Sequence, residues 1–200
     1  MRCFKLETLG YGRINGKSLA IVDDISPLDS AIKLRAMIGW GERLKGLHPK
    51  NAEIRIEKLK NNGALSNMIG NTTNVLLVDK IMKEIIRKLE PSESKIEIFP
   101  FKLFSSKGKL LSDELYHINP VGLVDCLDLE KSEIKYHEED GKKELVRIKE
   151  YVFRKDKLEH ASCIFKIPED PSSCFIRIDL ARELQKANCE NLCVLEIKVS

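Results

Sequence analysis

Residues 116–132, YHINPVGLVDCLDLEKS, lead through residues 151–167, YVFRKDKLEHASCIFKI, to residues 174–199, CFIRIDLARELQKANCENLCVLEIKV. Short apolar runs of period two dominate all three stretches and predict strands. GLVDCLDL at 122–129 is nearly continuous in apolar residues, the pattern of a strand covered on both faces. ELVRIKEYVF at 144–153 sets Val146, Ile148 and Val152 against Arg147 and Lys149. SCIFKI (162–167) and CFIRI (174–178) flank PEDPSS (168–173), a cluster of turn-forming residues. Asp179 is placed to cap one short helix, LARELQKA at 180–187, with Leu180 and Leu184 on a shared face. Asn188 suits a left-handed close to that helix. In the final strand Cys193, Leu195, Ile197 and Val199 are expected in the core, with Glu196 and Lys198 in water.

Upstream, RCFKLETL (2–9) alternates as a first strand, and KSLAIVDD (17–24) follows an Asn15-Gly16 turn as a second. SPLDSAIKLRAM (26–37) carries helix-start chemistry: Ser26 as cap, Pro27 at the first helical position and Asp29 three residues on. Gly39 and Gly41 end that helix around Trp40. Residues 42–70 mix charge with Gly46, Pro49, Gly63 and Gly70 and show no period, so irregular structure with at most one short helix is expected. NVLLVDKIMKEIIRKLE (74–90) reads as the clearest helix. Val75, Val78, Met82, Ile85 and Leu89 make its apolar stripe, Asn74 or Thr73 its cap and Pro91 its stop. KIEIFPFKLF (95–104) returns to period two, and Pro100, which cannot donate to a ladder, predicts an edge or a bulge. Together these elements predict an α+β fold, a largely antiparallel mixed sheet packed against a few helices. They predict a single compact domain over 1–200, less regular over 1–70, with a helix-plus-sheet core over 71–200.

Thirty-four basic against 31 acidic residues give a formal net charge of +3, too balanced for a protein whose affinity comes from neutralising phosphates. No apolar run approaches the roughly 20 residues that span a bilayer, and the opening MRCFKLETLG lacks a secretory apolar core. The six cysteines (3, 126, 163, 174, 189 and 193) fall mainly within strand-like runs, where a free thiol behaves as a small apolar side chain. A reducing cytoplasm is the expected compartment.

Chemistry finds little to hold. His160 with Cys163, and Cys189 with Cys193, lack zinc-ligand spacing, so neither a metal nor another cofactor is expected. No nucleophile elbow or phosphate-cradling glycine loop occurs. His117 with Asp125 or Asp128 is the one acid–base pairing to weigh, against the plainer reading of a histidine on a strand's solvent face. A nucleic-acid surface would need Lys142, Lys143, Arg147, Lys149, Arg154, Lys155 and Lys157, and the charge balance disfavours it. Trp40, the lone tryptophan, suits either an interface anchor or, preferred here, a core plug. Two acidic groups remain: Asp125, Asp128, Glu130 and Glu133, and a hairpin tip at Glu138, Glu139 and Asp140. Of these, Asp128, Glu130, Glu133, Glu138, Glu139 and Asp140 are the partner-binding candidates, since acidic patches speed encounter with a basic protein.

Residues 74–199 resemble the MXAN-type, or family-eleven, immunity proteins of bacterial polymorphic-toxin systems. NVLLVDKIMKEIIRKLE is similar to the helix that precedes their sheet, and IEIFPFKL to the following strand. YHINPVGLVDCLDLEKSE carries Tyr116, Asn119, Asp125, Asp128 and Ser132 in the corresponding places. IFKI, FIRIDLARELQKAN and LCVLEI are similar to the closing run, with CENLC standing where the family has a glycine pair and FKI where it has FRL. The resemblance implies a cytoplasmic binding protein, without catalytic residues, whose partner is a cognate toxin. Neither membrane nor nucleic acid is implied as a partner, and monomer and homodimer both remain compatible with it.

Overall fold

In the computed structural model, which describes residues 1–9, 13–14, 17–19, 21–22, 32–56, 65–71 and 75–200, strands dominate and four helices are interspersed among the described residues. The N-terminal part holds β1 (Cys3–Glu7), β2 (Arg13–Ile14), β3 (Lys17–Ser18), β4 (Ile21–Val22), α1 (Ile32–Gly39) and β5 (Ala52–Ile56). Next come β6 (Met68–Asn71), β7 (Leu76–Asp79), α2 (Lys80–Leu89), β8 (Ile96–Ser105) and β9 (Leu110–Pro120). The last part contains β10 (Glu133–Glu139), β11 (Lys142–Glu150), β12 (Val152–Phe153), α3 (Lys155–Leu158), β13 (Ile164–Ile167), β14 (Asp170–Arg177), α4 (Ile178–Lys186) and β15 (Cys193–Val199).

One sheet has six strands in the order β4-β6-β7-β9-β8-β5, and another has five in the order β12-β15-β1-β14-β13. Pairing is antiparallel except for β4 on β6, β5 on β8 and β12 on β15. The fold is thus broadly α+β but β-dominated, with mixed sheets. Three apolar cores make the layers. From Val75, just before β7, alternate residues face opposite ways, Val75 and Leu77 into the first core and Leu76 and Val78 into the second. The second core lies between the two sheets and takes Met82 and Ile86 from α2, Leu180 and Leu184 from α4, and Phe4, Ile164 and Ile176 from the five-stranded sheet. The opposite face of that sheet sends Cys3, Phe165, Phe175 and Ile197 into the third core, against Phe153, Leu158, Cys126 and Leu127. Each fully buried side chain of this size contributes about 2 kcal/mol by removal from water.

The expected helix over 74–90 is half strand. Val75–Val78 are all buried, because a strand clad on both faces needs a continuous apolar run. The helix starts where Asp79 caps it, its carboxylate accepting from Met82 N at 3.0 Å. GLVDCLDL departs the other way: it is an irregular connection whose backbone pairs with β13 and β12 only through isolated bridges at Leu123 and Leu127. Gly122, at φ +83, turns the chain straight after β9, and Asp128 spends its carboxylate on the turn that follows. Its Cys126 and Leu127 are buried all the same.

Residues 42–70, expected to be irregular, contain β5 and β6. In β5, Ala52, Ile54 and Ile56 are buried while Glu53 and Arg55 are exposed, a period-two signal too short to stand out. Pro100 falls one residue before β5 begins pairing at Phe101, so β8 is an edge up to that point, and register shifts follow it. PEDPSS shortens to a tight turn at 168–169, with Asp170 already paired to Ile167. In β15 only Ile197 is fully buried and Leu195 is 48% exposed; most of its outer edge carries no strand, because β12 reaches only Lys198 and Val199. Val146 also turns outward and Ile148 inward, beside register shifts in the hairpin. The Ser26, Pro27 and Asp29 cap and the Asn15-Gly16 turn lie outside the described residues. Asn188 and the α4 face behave as expected: φ is +51 at Asn188, and Leu180 and Leu184 are buried.

Candidate partner-binding surface

Strands β10 and β11 form a two-stranded sheet of their own. Asp140 and Gly141 close it with φ of +52 and +75, two left-handed residues that match the twist of a hairpin. The ribbon is exposed along most of its length. Ile134, Leu145 and Ile148 tether it to the third core, and Ser132 Oγ accepts from Val152 N at 3.0 Å at its base.

The six acidic candidates divide by position. Glu138, Glu139 and Asp140 sit at the exposed tip, and Glu130 and Glu133 at the exposed root. Asp128 is turned inward. Its Oδ1 accepts from Lys131 N at 3.2 Å and its Oδ2 from Ser200 Oγ at 3.2 Å. Burial opposes ionisation there, but these bonds outweigh it and hold its pKa below the ordinary carboxylate value. Cations stand opposite several of the others: Glu138 faces Lys143, Glu139 faces Lys142, and Glu133 meets Lys149 Nζ at 2.5 Å. Such exposed pairs are worth less than 1 kcal/mol each, so they give way to a partner's charges at little cost.

His117 is not on a solvent face. It is fully buried on β9, with ring centroids 5.5 Å from His48 and 5.9 Å from Phe99, and His48 stacks on Phe99 at 4.1 Å. Burial first, then the nearby His48 and Lys166, push its pKa down to about 3. Neither ring nitrogen has a protein hydrogen-bond partner among the described residues. Asp125, by contrast, is exposed beside Arg154 at 3.6 Å, and Asp128 is committed to its turn. The structure does not bring this proposed acid–base pair together. The cysteines are free thiols, with Cys3, Cys126, Cys163 and Cys174 buried. Burial raises Cys126 and Cys163 to about 12, where a thiol is inert.

The sequence reading missed a buried polar clamp. Glu97 accepts from Leu44 N at 2.7 Å, Lys45 N at 3.1 Å and Asn119 Nδ2 at 3.0 Å, and Asn119 Nδ2 also reaches Glu42 O at 2.9 Å. Lys166, 2% exposed, gives its ammonium to Ile38 O at 2.6 Å at the C-terminal end of α1. There a cation meets the negative end of the helix dipole. Burial lowers its pKa. Gly122 N donates to Gly41 O at 2.7 Å. All these bonds converge on residues 38–45, whose Trp40 is 54% exposed rather than a core plug. A charged residue at an otherwise apolar strand position, as at Glu97 and Lys166, was the one available signal.

The model of the immunity protein family (Imm11) matches residues 27–199. The chain belongs to this immunity protein family. The match starts well upstream of residue 74, so it takes in α1, the clamped segment and the strands of the immunity protein from β5 to β15, while β1 to β4 lie before it. No curated protein matches the chain. Among the described residues, no helix is long and apolar enough to cross a membrane.

Proposed function

We propose that this immunity protein neutralises a cognate bacterial toxin by direct non-covalent binding in the cytoplasm, without catalysis. Family membership over residues 27–199 carries the reading. The exposed β10–β11 ribbon supports it as the first contact surface. Glu130, Glu133, Glu138, Glu139 and Asp140 meet a basic face of the toxin, and Asp128 acts from behind by fixing the ribbon's root. Rim charges of this kind govern encounter rate more than final affinity. Residues 1–200 act as a single unit, a reading supported by the second core, which draws on both larger sheets and on α2 and α4.

Co-expression with the toxin encoded beside it tests this directly. Restored growth of the toxin-expressing cells and co-purification of the two chains are expected. Continued growth arrest with no complex on size exclusion refutes neutralisation by binding.

A further inference from the structure

Trp40 and Leu47 are exposed large apolar side chains, 54% and 58% accessible, on one short segment between α1 and β5. Exposed apolar groups usually ride on loosely held loops, but this backbone is fixed on several sides. Glu97, Asn119, Gly122 and Lys166 bind it from within the fold. Gly41, at φ +63, packs so closely on Gly122 that a Cβ there would lie 2.8 Å from Gly122 O. A side chain presented on fixed backbone loses little entropy on binding.

Beside the segment runs a groove of about 320 Å³, with Arg43, Lys45, Arg87, Glu93 and Phe99 among its lining. Two of its cations are held by neutral oxygens instead of carboxylates. Arg43 donates to Ser94 O at 3.0 Å and Glu93 O at 3.4 Å, and Arg87 to Pro91 O at 3.2 Å. Their guanidiniums are oriented by these carbonyls and make no ion pair among the described residues, and with Lys45 they outnumber the groove's two acids, Glu93 and Glu97, an arrangement open to a further carboxylate. Lys45 lies 3.5 Å from Glu93, both widely exposed. Glu97, the other acid of the groove, has both oxygens occupied by the clamp.

We propose that residues 40–48 and this groove form a second, preorganised docking site for an acidic segment of the toxin. Trp40 and Leu47 bury apolar side chains of that segment, and Arg43, Lys45 and Arg87 receive its carboxylates. Tryptophan and arginine are the commonest energetic anchors of protein interfaces. The near-neutral balance of 34 basic and 31 acidic residues favours a protein occupant over nucleic acid. This rests on the toxin-binding reading above and adds where the affinity resides.

Because Trp40 is the only tryptophan, labelling the immunity protein with 5-fluorotryptophan gives one fluorine resonance that reports on this site. Titration with the adjacent-gene toxin should shift it. Trp40→Ala should weaken binding about 30-fold, a hot-spot loss, and Lys45→Glu should slow association about tenfold at low salt. An unmoved resonance, or affinities within about twofold of wild type for both variants, overturns the site while toxin binding stands. If the unlabelled wild type does not bind the toxin at all, the toxin reading fails and takes this site with it. A resonance that shifts only with a short oligonucleotide, or only with self-association, also overturns it.

Discussion

His117 makes the protein's stability depend on pH in a direction and amount that follow from its burial. Its ordinary value of 6.5 falls to about 3 in the fold, so between those values the unfolded chain binds a proton that the native protein refuses. Stability from this residue is therefore complete above the unfolded value and drains away as pH falls toward the folded one. Between about pH 7 and about pH 5, one such histidine costs about 2 kcal/mol. His48 is depressed in the same direction by burial and adds to the loss. His117→Leu has similar volume and nothing to protonate. Urea unfolding of both proteins at the two pH values gives a double difference in which any constant packing cost cancels. The variant should lose about 2 kcal/mol less than wild type on acidification. Equal losses would mean that His117 is solvated or protonated in the native state, and the burial argument would fail.

Glu97→Ala strands the Leu44 and Lys45 amides and removes a partner of Asn119; a loss of about 3 kcal/mol is expected, with faster hydrogen exchange at those two amides. An unchanged melting temperature would show that the clamp is dispensable. Gly41→Ala forces a side chain into a left-handed backbone and against Gly122 O at 2.8 Å. A cost of about 2 kcal/mol and loss of protection at the Gly122 amide should follow; wild-type stability would refute the close packing.

Legibility in the sequence followed periodicity. β1, α4 with its Asn188 close, and the hairpin tip at Asp140-Gly141 were readable because their signals lie within a few neighbouring residues. VLLV at 75–78 was misread as helix, since a continuous apolar run fits a buried strand and a helix equally until a partner strand is known. β5 was lost because AEIRI is only five residues long and pairs in parallel with residues about 50 positions away. The candidate surface was half legible. The acidic residues of 130–140 lie within one short stretch of sequence, whereas the Trp40 segment acquires meaning only from Glu97, Asn119 and Lys166.

The sequence by itself determined the α+β class, the burial of most cysteines as free thiols, the acidic hairpin and the family. Each depends on local order or on composition. Only the tertiary structure decided that His117 is buried against His48 and Phe99, that GLVDCLDL crosses between strands instead of forming one, and that Trp40 faces outward on a fixed backbone. Those outcomes depend on which sheet face a neighbour covers, and pairing between distant segments sets that. The sequence names the residues at each position, but the energy of a buried charge or an exposed indole is set by whatever the rest of the chain packs against it.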